Sequence, residues 1–330
     1  MPAELLFTVG SALRSTLYSS GVLASHPTPI PALAVGNLTV GGTGKTPIAA
    51  FLARCLLERG ATPGIVLRGY GEDEPLVHRT INPSVRVFVS ADRLAGTVDA
   101  ERAGCDVVVL DDAFQHRRVQ RVADIVLVSS DATWDKRRHL LPAGPWREPL
   151  AAARRASLVI VTRKAASPER ADVVLGAVTK AAGVHGTIVH LETGDLREAR
   201  GTMTVEIDAI RGESVLAISG IGDPDAFSAQ LTACGANVVS VAFRDHHRFT
   251  AAEASALAMR ASQFDRVVCT LKDAVKLGPL WPGPTALWYV SQRVVVERGS
   301  DALDAVLATT LLARSASPQS GRPGLPGPPN

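Results

Sequence analysis

The stretch Gly36-Asn37-Leu38-Thr39-Val40-Gly41-Gly42-Thr43-Gly44-Lys45-Thr46 decides the fold, because it lies between a strand pattern and a helix pattern. The apolar run Ala32–Val35 predicts a strand, and Pro47–Arg59 predicts a helix. Glycines in such a loop let backbone N–H groups surround phosphate oxygens, and the helix dipole favours the negative charge. The stretch therefore predicts a phosphate-binding loop (P-loop) with ATP and Mg²⁺ as cofactors.

Within this loop each residue type has an expected role. Lys45 is expected to reach the β- and γ-phosphates, and the Thr46 hydroxyl is expected to bind Mg²⁺. The backbone that surrounds the phosphates is predicted to be that of Gly41, Gly42, Thr43 and Gly44. The common P-loop pattern has a glycine six residues before the lysine, where this chain has Thr39, so the match is to the variant G-G-x-G-K-T.

A second element fits beside the loop. The apolar run Val107–Leu110 predicts a strand, and Asp111 and Asp112 follow it directly. Carboxylates at the end of a strand in a nucleotide-binding protein are typical ligands of the nucleotide's Mg²⁺. Both aspartates are therefore predicted metal ligands, and the sequence does not separate them.

Further short apolar runs alternate with helical patterns. Continuous runs such as Ile125–Val128 and Leu158–Val161 are typical of strands covered on both faces. A second series starts at Val215–Ile218, after a weaker stretch. The prediction is an α/β fold: a P-loop NTPase-type, mostly parallel sheet domain at 29–205 and a smaller α/β domain at 206–314, whose last helix is able to pack back on the first domain. The Ser/Pro/Gly-rich residues 315–330 are expected to be disordered.

The first 28 residues form a separate pattern. Leu5, Leu6, Val9, Leu13 and Leu17 recur at helical spacing before a proline-containing breaker, which predicts an amphipathic helix. Two interpretations are open: the helix packs on its own domain, or it contacts a membrane surface.

Composition excludes several classes of protein. The four cysteines of the 330 residues form no C-x-x-C pair, which argues against a disulfide framework and a thiolate zinc site. No apolar run approaches the roughly 18 residues of a spanning helix. The net charge is only +3, but residues 114–170 hold 12 Lys/Arg against 5 Asp/Glu. That stretch is either a solvated basic face or a surface for phosphates and anionic lipid, and no nucleic-acid-binding signature accompanies it.

Seven more motifs follow the loop in order. They are R-G-Y-G (68–71), D-E-P (73–75), D-D-A-F-Q-H (111–116), L-P-A-G-P-W-R-E-P (141–149), G-I-G-D-P (220–224), F-R-D-H (243–246) and T-L-K-D (270–273). With the loop, this series resembles the tetraacyldisaccharide 4′-kinase family, the lipid A 4′-kinases of Gram-negative bacteria. The resemblance covers about residues 5–295.

The resemblance implies a kinase that moves the γ-phosphate of ATP to the 4′-hydroxyl of a lipid A disaccharide 1-phosphate. It implies a smaller domain that closes over the site, and a peripheral protein on the cytoplasmic face of the inner membrane. The expected partners are the lipid substrate and the anionic membrane surface, without nucleic acid, and the expected state is a monomer.

By the same resemblance Asp73 is the general base, His246 from the second domain is its partner, and Lys45 completes the catalytic set. Phosphoryl transfer needs positioning, charge neutralisation and a carboxylate that accepts the hydroxyl proton. A histidine beside that carboxylate can orient it and tune its pKa, and placing the two on different domains makes catalysis depend on closure. From the residues alone, a surface histidine is the favoured interpretation of His246, and His247 is an equal candidate for a functional role.

Five more residues are predicted to contact substrate or support the residues that do. His116 is either a turn-stabilising side chain or a neighbour of phosphate and Mg²⁺. Arg117 and Arg118 are either solvated charges or ligands of the substrate phosphate. Arg147 is expected to pair with Glu148 or with substrate, and Glu148 is either a surface residue or part of the metal surroundings.

Two departures from the family pattern accompany the resemblance. The family has some fifteen to twenty residues between R-G-Y-G and D-E-P and a glycine before the aspartate, whereas here Glu72 alone separates Gly71 from Asp73. Ala113 stands where the family prefers glycine, and it would be strained there if φ were positive.

These departures leave a degenerate, ATP-binding but inactive member as one alternative. A kinase for another amphipathic glycan is a second. A nucleotide-dependent, membrane-associated partitioning-type ATPase is a third, but that class places a lysine just before the two glycines, where this chain has Val40.

Overall fold

A computed structural model describes residues 2–69, 71–132 and 139–316. The helices are α1 (Pro2–Ser19), α2 (Lys45–Glu58), α3 (Asp73–Ile81), α4 (Arg93–Arg102), α5 (Pro168–Ala182), α6 (Pro224–Ala233), α7 (Ala251–Ala261), α8 (Leu271–Leu277) and α9 (Ser300–Ala316). The strands are β1 (Ala32–Asn37), β2 (Pro63–Leu67), β3 (Arg86–Val89), β4 (Val107–Leu110), β5 (Ala123–Ser129), β6 (Leu158–Arg163), β7 (Gly186–Glu198), β8 (Thr204–Val205), β9 (Ser214–Ser219), β10 (Asn237–Ala242), β11 (Arg266–Thr270) and β12 (Leu287–Arg298).

These strands of the described ranges join into one 12-stranded sheet of order β10-β9-β11-β12-β7-β6-β5-β1-β4-β2-β3, with β8 beside β7. The block from β7 to β3 is parallel throughout. The block from β10 to β12 is parallel as well. The two blocks meet at the antiparallel pair of β7 and β12. The predicted α/β class with a mostly parallel sheet is confirmed.

The order of the parallel block positions the site. β1 lies between β4 and β5, and the burial of β1 and β4 is complete along their length. Because neighbouring parallel strands end at the same edge of a sheet, the P-loop after β1 and the two aspartates after β4 lie side by side.

The junction of the two blocks falls near the predicted boundary at residue 205. β7 starts inside the P-loop block and continues as the partner of β12, so the sheet crosses the junction without a break. Helix α9 contributes Leu303, Val306 and Leu307 to the hydrophobic core that contains Leu33 of β1. The division of the chain into domains stays a prediction. Residues 317–330 of the predicted tail lie outside the described residues.

Candidate active site

The P-loop has the backbone conformation that its glycines allow. Gly41 and Gly44 have positive φ values of 110° and 82°, and Gly44 is the N-cap of α2, which begins at Lys45. A Cβ on Gly44 would collide with the Leu191 side chain of β7, so only glycine fits. The loop therefore presents the N-terminus of α2 at the end of a buried strand.

Three polar side chains hold the loop in place. Asn37 Nδ2 donates to Thr43 Oγ1 at 2.8 Å, and Thr162 Oγ1 donates to the Thr43 carbonyl at 2.9 Å. Gln115 Nε2 donates to the Asn37 carbonyl at 2.8 Å. Asn37, Thr43 and Thr162 are all buried, so these bonds are shielded from water. The loop is held in one conformation by residues of its own sheet.

Asp111 is a buried carboxylate with one satisfied oxygen. His78 Nε2 lies 2.9 Å from Asp111 Oδ2, whereas Oδ1 is buried without a hydrogen-bond partner in the described ranges. Burial opposes ionisation, but the hydrogen bond and charge of His78 and the charge of Lys45 hold the pKa of Asp111 below its usual value. Asp111 is therefore an ionised carboxylate with one oxygen that accepts no hydrogen bond from the described residues.

Asp112 faces the cations of the loop edge. Its carboxylate accepts two hydrogen bonds from Arg147 Nη1, at 2.8 and 3.1 Å, and Lys45 Nζ lies 3.9 Å from Oδ1. Burial lowers the pKa of Lys45, although the carboxylate of Asp112 opposes this shift. Asp112 also has a positive φ of 49°, whereas Ala113 does not. The backbone strain that was expected if Ala113 had a positive φ therefore lies at its neighbour.

These residues fit a nucleotide with its Mg²⁺. The unsatisfied Oδ1 of Asp111, the carboxylate of Asp112 and the hydroxyl of Thr46 are hard oxygen donors of the kind Mg²⁺ takes. In the described part of the chain no three His, Cys, Asp or Glu side chains form a metal-binding group.

The segment that carries Arg147 and Glu148 packs along the front of the loop. Val40 N donates to the Pro145 carbonyl, and Arg147 N donates to the Leu38 carbonyl, both at 2.7 Å. The two charged residues do not pair with each other: Arg147 pairs with Asp112, and Glu148 accepts from Arg155 Nη2 at 2.7 Å. The predicted pair of Arg147 with Glu148 is therefore wrong, and a contact of Arg147 with substrate stays a prediction.

A cavity of about 690 Å³ opens beside this cluster, between α1 and the loop edge. Its lining includes Arg14 of α1, His116, Arg117, Arg147 and Glu148. Arg117 Nη1 donates to the Ser15 carbonyl of α1 at 2.8 Å. Arg118 is directed elsewhere, with its guanidinium 3.6 Å from Asp92. Four of the five predicted substrate-side residues thus surround one cavity.

His116 is neutral in this cavity. Burial, and then the positive charge of Arg93, lower the pKa of His116 to about 4. Its Nε2 is buried without a hydrogen-bond partner in the residues described. The side chain therefore holds a polar atom that a ligand in the cavity can satisfy.

The predicted base and its partner meet across the two blocks. His246 Nδ1 lies 3.4 Å from Asp73 Oδ1, and Arg248 Nη2 donates to Glu72 Oε1 at 2.9 Å. The Asp73 carboxylate is buried, whereas the His246 side chain is about half exposed. Asp73 Oδ2 has no hydrogen-bond partner among the described residues. Asp73 is the first residue of α3, and His78 of the same helix contacts Asp111, so the short connection from Gly71 still brings this helix to the aspartate pair.

The sequence reasoning missed several residues here. His78 is fully buried against Asp111, and Arg93 Nη2 donates to the Asp111 carbonyl at 3.2 Å. Burial, followed by the charge of Asp111, raises the pKa of Glu74. Arg14 and Arg155 line the cavity. Glu74 stands inside a quoted motif, but the others carry no local signal, because only the tertiary fold brings them to the site. The roles of the site residues that the sequence did predict stay predictions.

Comparison with known proteins identifies the family. The family model for tetraacyldisaccharide-1-P 4′-kinase matches residues 1–75 and 72–312. The two matched stretches overlap at residues 72–75, directly after the short connection between Gly71 and Asp73.

Similar proteins and structures extend this match. The chain is 37% identical over 351 aligned residues to a tetraacyldisaccharide 4′-kinase of Anaeromyxobacter sp. (strain Fw109-5), covering 95% of this chain and 93% of that one. It is 36% identical over 300 residues to one of Xanthomonas euvesicatoria pv. vesicatoria, covering 84% of each. A crystal structure of the "apo" form of LpxK from Aquifex aeolicus in complex with ATP matches with a TM-score of 0.75 and 28% identity, over 94% of this chain and 97% of that one. The predicted resemblance is confirmed, and the chain belongs to the tetraacyldisaccharide-1-P 4′-kinase family.

Proposed function

We propose that this protein is the ATP-dependent kinase that phosphorylates the 4′-hydroxyl of a lipid A disaccharide 1-phosphate. The observation that carries the proposal is the contact of Asp73 with His246 at the start of α3, the helix whose His78 contacts Asp111 after β4. The same chain has a P-loop after β1 and an arginine-lined cavity at the loop edge. The P-loop supplies a phosphate donor, the cavity suits an anionic acceptor, and the carboxylate can accept a hydroxyl proton.

In this proposal the P-loop side holds the donor. Gly41, Gly42, Thr43 and Gly44 bind the phosphates through their backbone. Lys45 places its half-buried ammonium on the β- and γ-phosphates, where desolvation strengthens the attraction. Thr46, Asp111 and Asp112 hold the Mg²⁺, which neutralises phosphate charge when bound. Arg147, already fixed on Asp112, lies where it can contact the transferred phosphoryl group.

Asp73 and His246 act on the acceptor. The 4′-oxygen forms a bond to the γ-phosphorus as the bond from that phosphorus to the leaving oxygen of ADP breaks. The hydroxyl proton passes to Asp73, whose Oδ2 is buried without a partner among the described residues. His246 contacts the other oxygen and orients the carboxylate. Because the two residues belong to different blocks of the sheet, this arrangement requires the blocks to be closed on each other.

The arginine-lined cavity suits the 1-phosphate and the sugars. It is lined by the arginines Arg14, Arg68, Arg93, Arg117, Arg147 and Arg155. The lining also contains two acidic side chains, those of Asp112 and Glu148. Guanidinium groups bind phosphate bidentately and keep their charge at every physiological pH. The excess of positive charge favours an anionic substrate over a neutral glycan.

Helix α1 carries the proposal of membrane association. Its polar side faces the protein: Glu4 Oε1 lies 3.0 Å from His139 Nδ1, and Ser15 and Ser19 accept hydrogen bonds from Arg117. Its apolar side chains face outward, with Leu5, Leu6, Val9 and Leu13 each more than half exposed. In the described residues no helix combines the length and apolarity needed to cross a membrane.

An outward apolar helix suits the interfacial region of a bilayer. Because Phe7, Gly10 and Ser11 of α1 also line the cavity, a lipid-linked substrate can reach it from the membrane. The proposed location is the cytoplasmic face of the inner membrane, on anionic lipid. The Trp134 and Lys136–Arg138 part of the basic stretch lies outside the described residues, and the monomeric state stays a prediction.

The direct test supplies γ-labelled ATP, Mg²⁺ and the disaccharide 1-phosphate in mixed micelles. The label should appear on the lipid, with the new phosphate at the 4′-position by mass spectrometry and ³¹P NMR. Release of labelled phosphate without labelled lipid would contradict the proposed function.

Membrane association is tested by sedimentation with vesicles. Leu6→Asp should weaken binding to anionic vesicles by about 10-fold, because a charge replaces an apolar contact with the interface. Leu312→Asp on α9 is the matched control, since Leu312 is equally exposed but on another face. Equal losses in both variants would contradict a membrane-facing α1.

A further inference from the structure

Asp273 is a fully buried carboxylate that the proposed chemistry does not use. It lies near the start of α8, where its Oδ2 accepts from Gly220 N at 2.9 Å and from Thr270 Oγ1 at 2.6 Å. Lys276 Nζ lies 3.3 Å from Oδ1. A buried carboxylate costs several kcal/mol of desolvation unless its partners compensate, so this network needs an explanation.

Gly220 connects this carboxylate to His246. Its N–H donates to Asp273, and its carbonyl accepts from His246 N at 3.1 Å. A Cβ on Gly220 would lie 3.0 Å from Asp273 Oδ1, 3.3 Å from His247 Cβ and 3.4 Å from the Arg244 carbonyl. Gly220 is therefore packed between Asp273 and the loop that carries His246, and its two hydrogen bonds connect the Asp273 carboxylate to the backbone of His246.

His246 needs such support because its backbone is strained. Its φ is 57°, in the left-handed region that is uncommon for residues other than glycine. A strained residue persists only where its surroundings determine its conformation. On the other side, the His247 ring stacks on Phe243 with centroids 4.7 Å apart, and its Nε2 lies 3.1 Å from Glu253 Oε1. The loop is thus held on both sides of His246.

We propose that Asp273 is a positioning residue for phosphoryl transfer: through Gly220 it holds the strained backbone of His246 so that the ring meets Asp73. The three motifs then act together. Asp273 of T-L-K-D holds Gly220 of G-I-G-D-P, and Gly220 holds His246 of F-R-D-H. This inference rests on the proposed function, in which His246 orients the base.

A double-mutant cycle tests it with single-turnover transfer from saturating ATP. His246→Ala and Asp273→Ala should each lower the transfer rate by about 10- to 100-fold, since small displacements of a catalytic group have effects of this size. The double variant should be no slower than His246→Ala, because residues that act as a unit are non-additive. The KM for ATP should stay within about twofold, because the P-loop is untouched.

Two further variants complete the design. Asp273→Asn keeps an oxygen that can accept from Gly220 N, so its rate should return to within about threefold of wild type. Asp265→Ala is the matched control, since its Oδ2 likewise accepts from a backbone N–H (Ser214 N, 2.8 Å) and a hydroxyl, but away from His246. Any fall in the transfer rate that Asp265→Ala causes should be the same factor in the wild-type background and in the His246→Ala background.

The outcomes separate the inference from the proposed function. If His246→Ala transfers at the wild-type rate, the proposed role of His246 fails, and the role of Asp273 fails with it. If His246→Ala is slow and Asp273→Ala slows it by its full factor again, the inference is overturned and the proposed function stands. If Asp273→Ala does not fold, Gly220→Ala replaces it in the same cycle, and full additivity there overturns the inference as well.

Discussion

The two sides of the site are built in opposite ways. On the P-loop side, Asn37, Thr162 and Gln115 fix the loop within one continuous parallel block. On the other side, His246 reaches Asp73 over 3.4 Å from a half-exposed position. Exposed contacts of this kind contribute little binding energy on their own. The nucleotide side is thus preorganised, whereas the base and its partner depend on how the two blocks meet.

This contrast predicts that the P-loop side carries the largest effect. Lys45→Ala should lower kcat/KM for transfer by at least about 1,000-fold, since it removes the half-buried cation that is proposed to bind the phosphates. Steady-state transfer of labelled phosphate measures it. Lys180→Ala on the exposed face of α5 is the control. A similar fall in kcat/KM in this variant would show that the effect comes from the net charge of the protein and not from the position of Lys45.

Substitutions on the His246 side of the site should lower the transfer rate less, and should separate catalysis from stability. His246→Ala should lower kcat by about 10- to 100-fold with an unchanged melting temperature, because the side chain is half exposed. His247→Ala should instead lower the melting temperature, because the His247 ring packs between Phe243 and Phe249. Thermal unfolding and transfer rates measure the two effects, and the reverse pattern would make His247 the functional residue.

Lowering the pH should lower the free energy of unfolding, because His116 beside the cavity is held neutral in the folded protein. The folded-state pKa of about 4 lies below the ordinary value of 6.5, so between these values the unfolded chain binds more protons. Stability from this group is therefore complete above about pH 6.5 and falls as the pH drops towards 4. His116→Gln should remove at least about 1 kcal/mol of the loss in the free energy of unfolding between pH 7 and 4.5, allowing for partial exposure. Denaturant titrations at both pH values measure it, and an unchanged pH dependence contradicts it.

The smallest effect is expected at the surface contact of the two blocks. Arg248→Ala should lower kcat by no more than about fivefold, since an exposed ion pair contributes about 0–1 kcal/mol. The effect should disappear at high salt. Glu72→Ala should lower kcat by the same factor, and the double variant should have the same kcat as either single variant. Additive losses would show that Glu72 and Arg248 do not act as a pair.

The sequence was sufficient for the parts of the molecule with local signals. Buried strands such as Val107–Leu110 were predicted with the bounds that the structure has, because both faces are covered and the apolar run is continuous. The P-loop and the aspartate pair follow from residue spacing alone. The contact of Asp73 with His246 followed only from the resemblance, since 173 positions separate them.

Other features had no local signal. Strands β7 and β12 were not predicted as elements, because polar residues that are half-buried or exposed, such as Glu192, Asp195 and Arg293, interrupt their apolar residues. They join the two blocks, so the continuity of the sheet could not be expected either. The pairing of His78 with Asp111 connects a helix to a strand end, and it depends on tertiary packing that spacing does not encode.

The central claim is that Asp73 accepts the proton of the 4′-hydroxyl, and Asp73→Asn tests it most directly. The amide keeps the size of the side chain but cannot take up the proton, so single-turnover transfer from saturating ATP should fall by about 100- to 1,000-fold. The Kd for ATP should stay within about twofold, because the P-loop is unchanged. Transfer by Asp73→Asn at a rate near that of the wild type, with ATP bound equally well, would contradict the account.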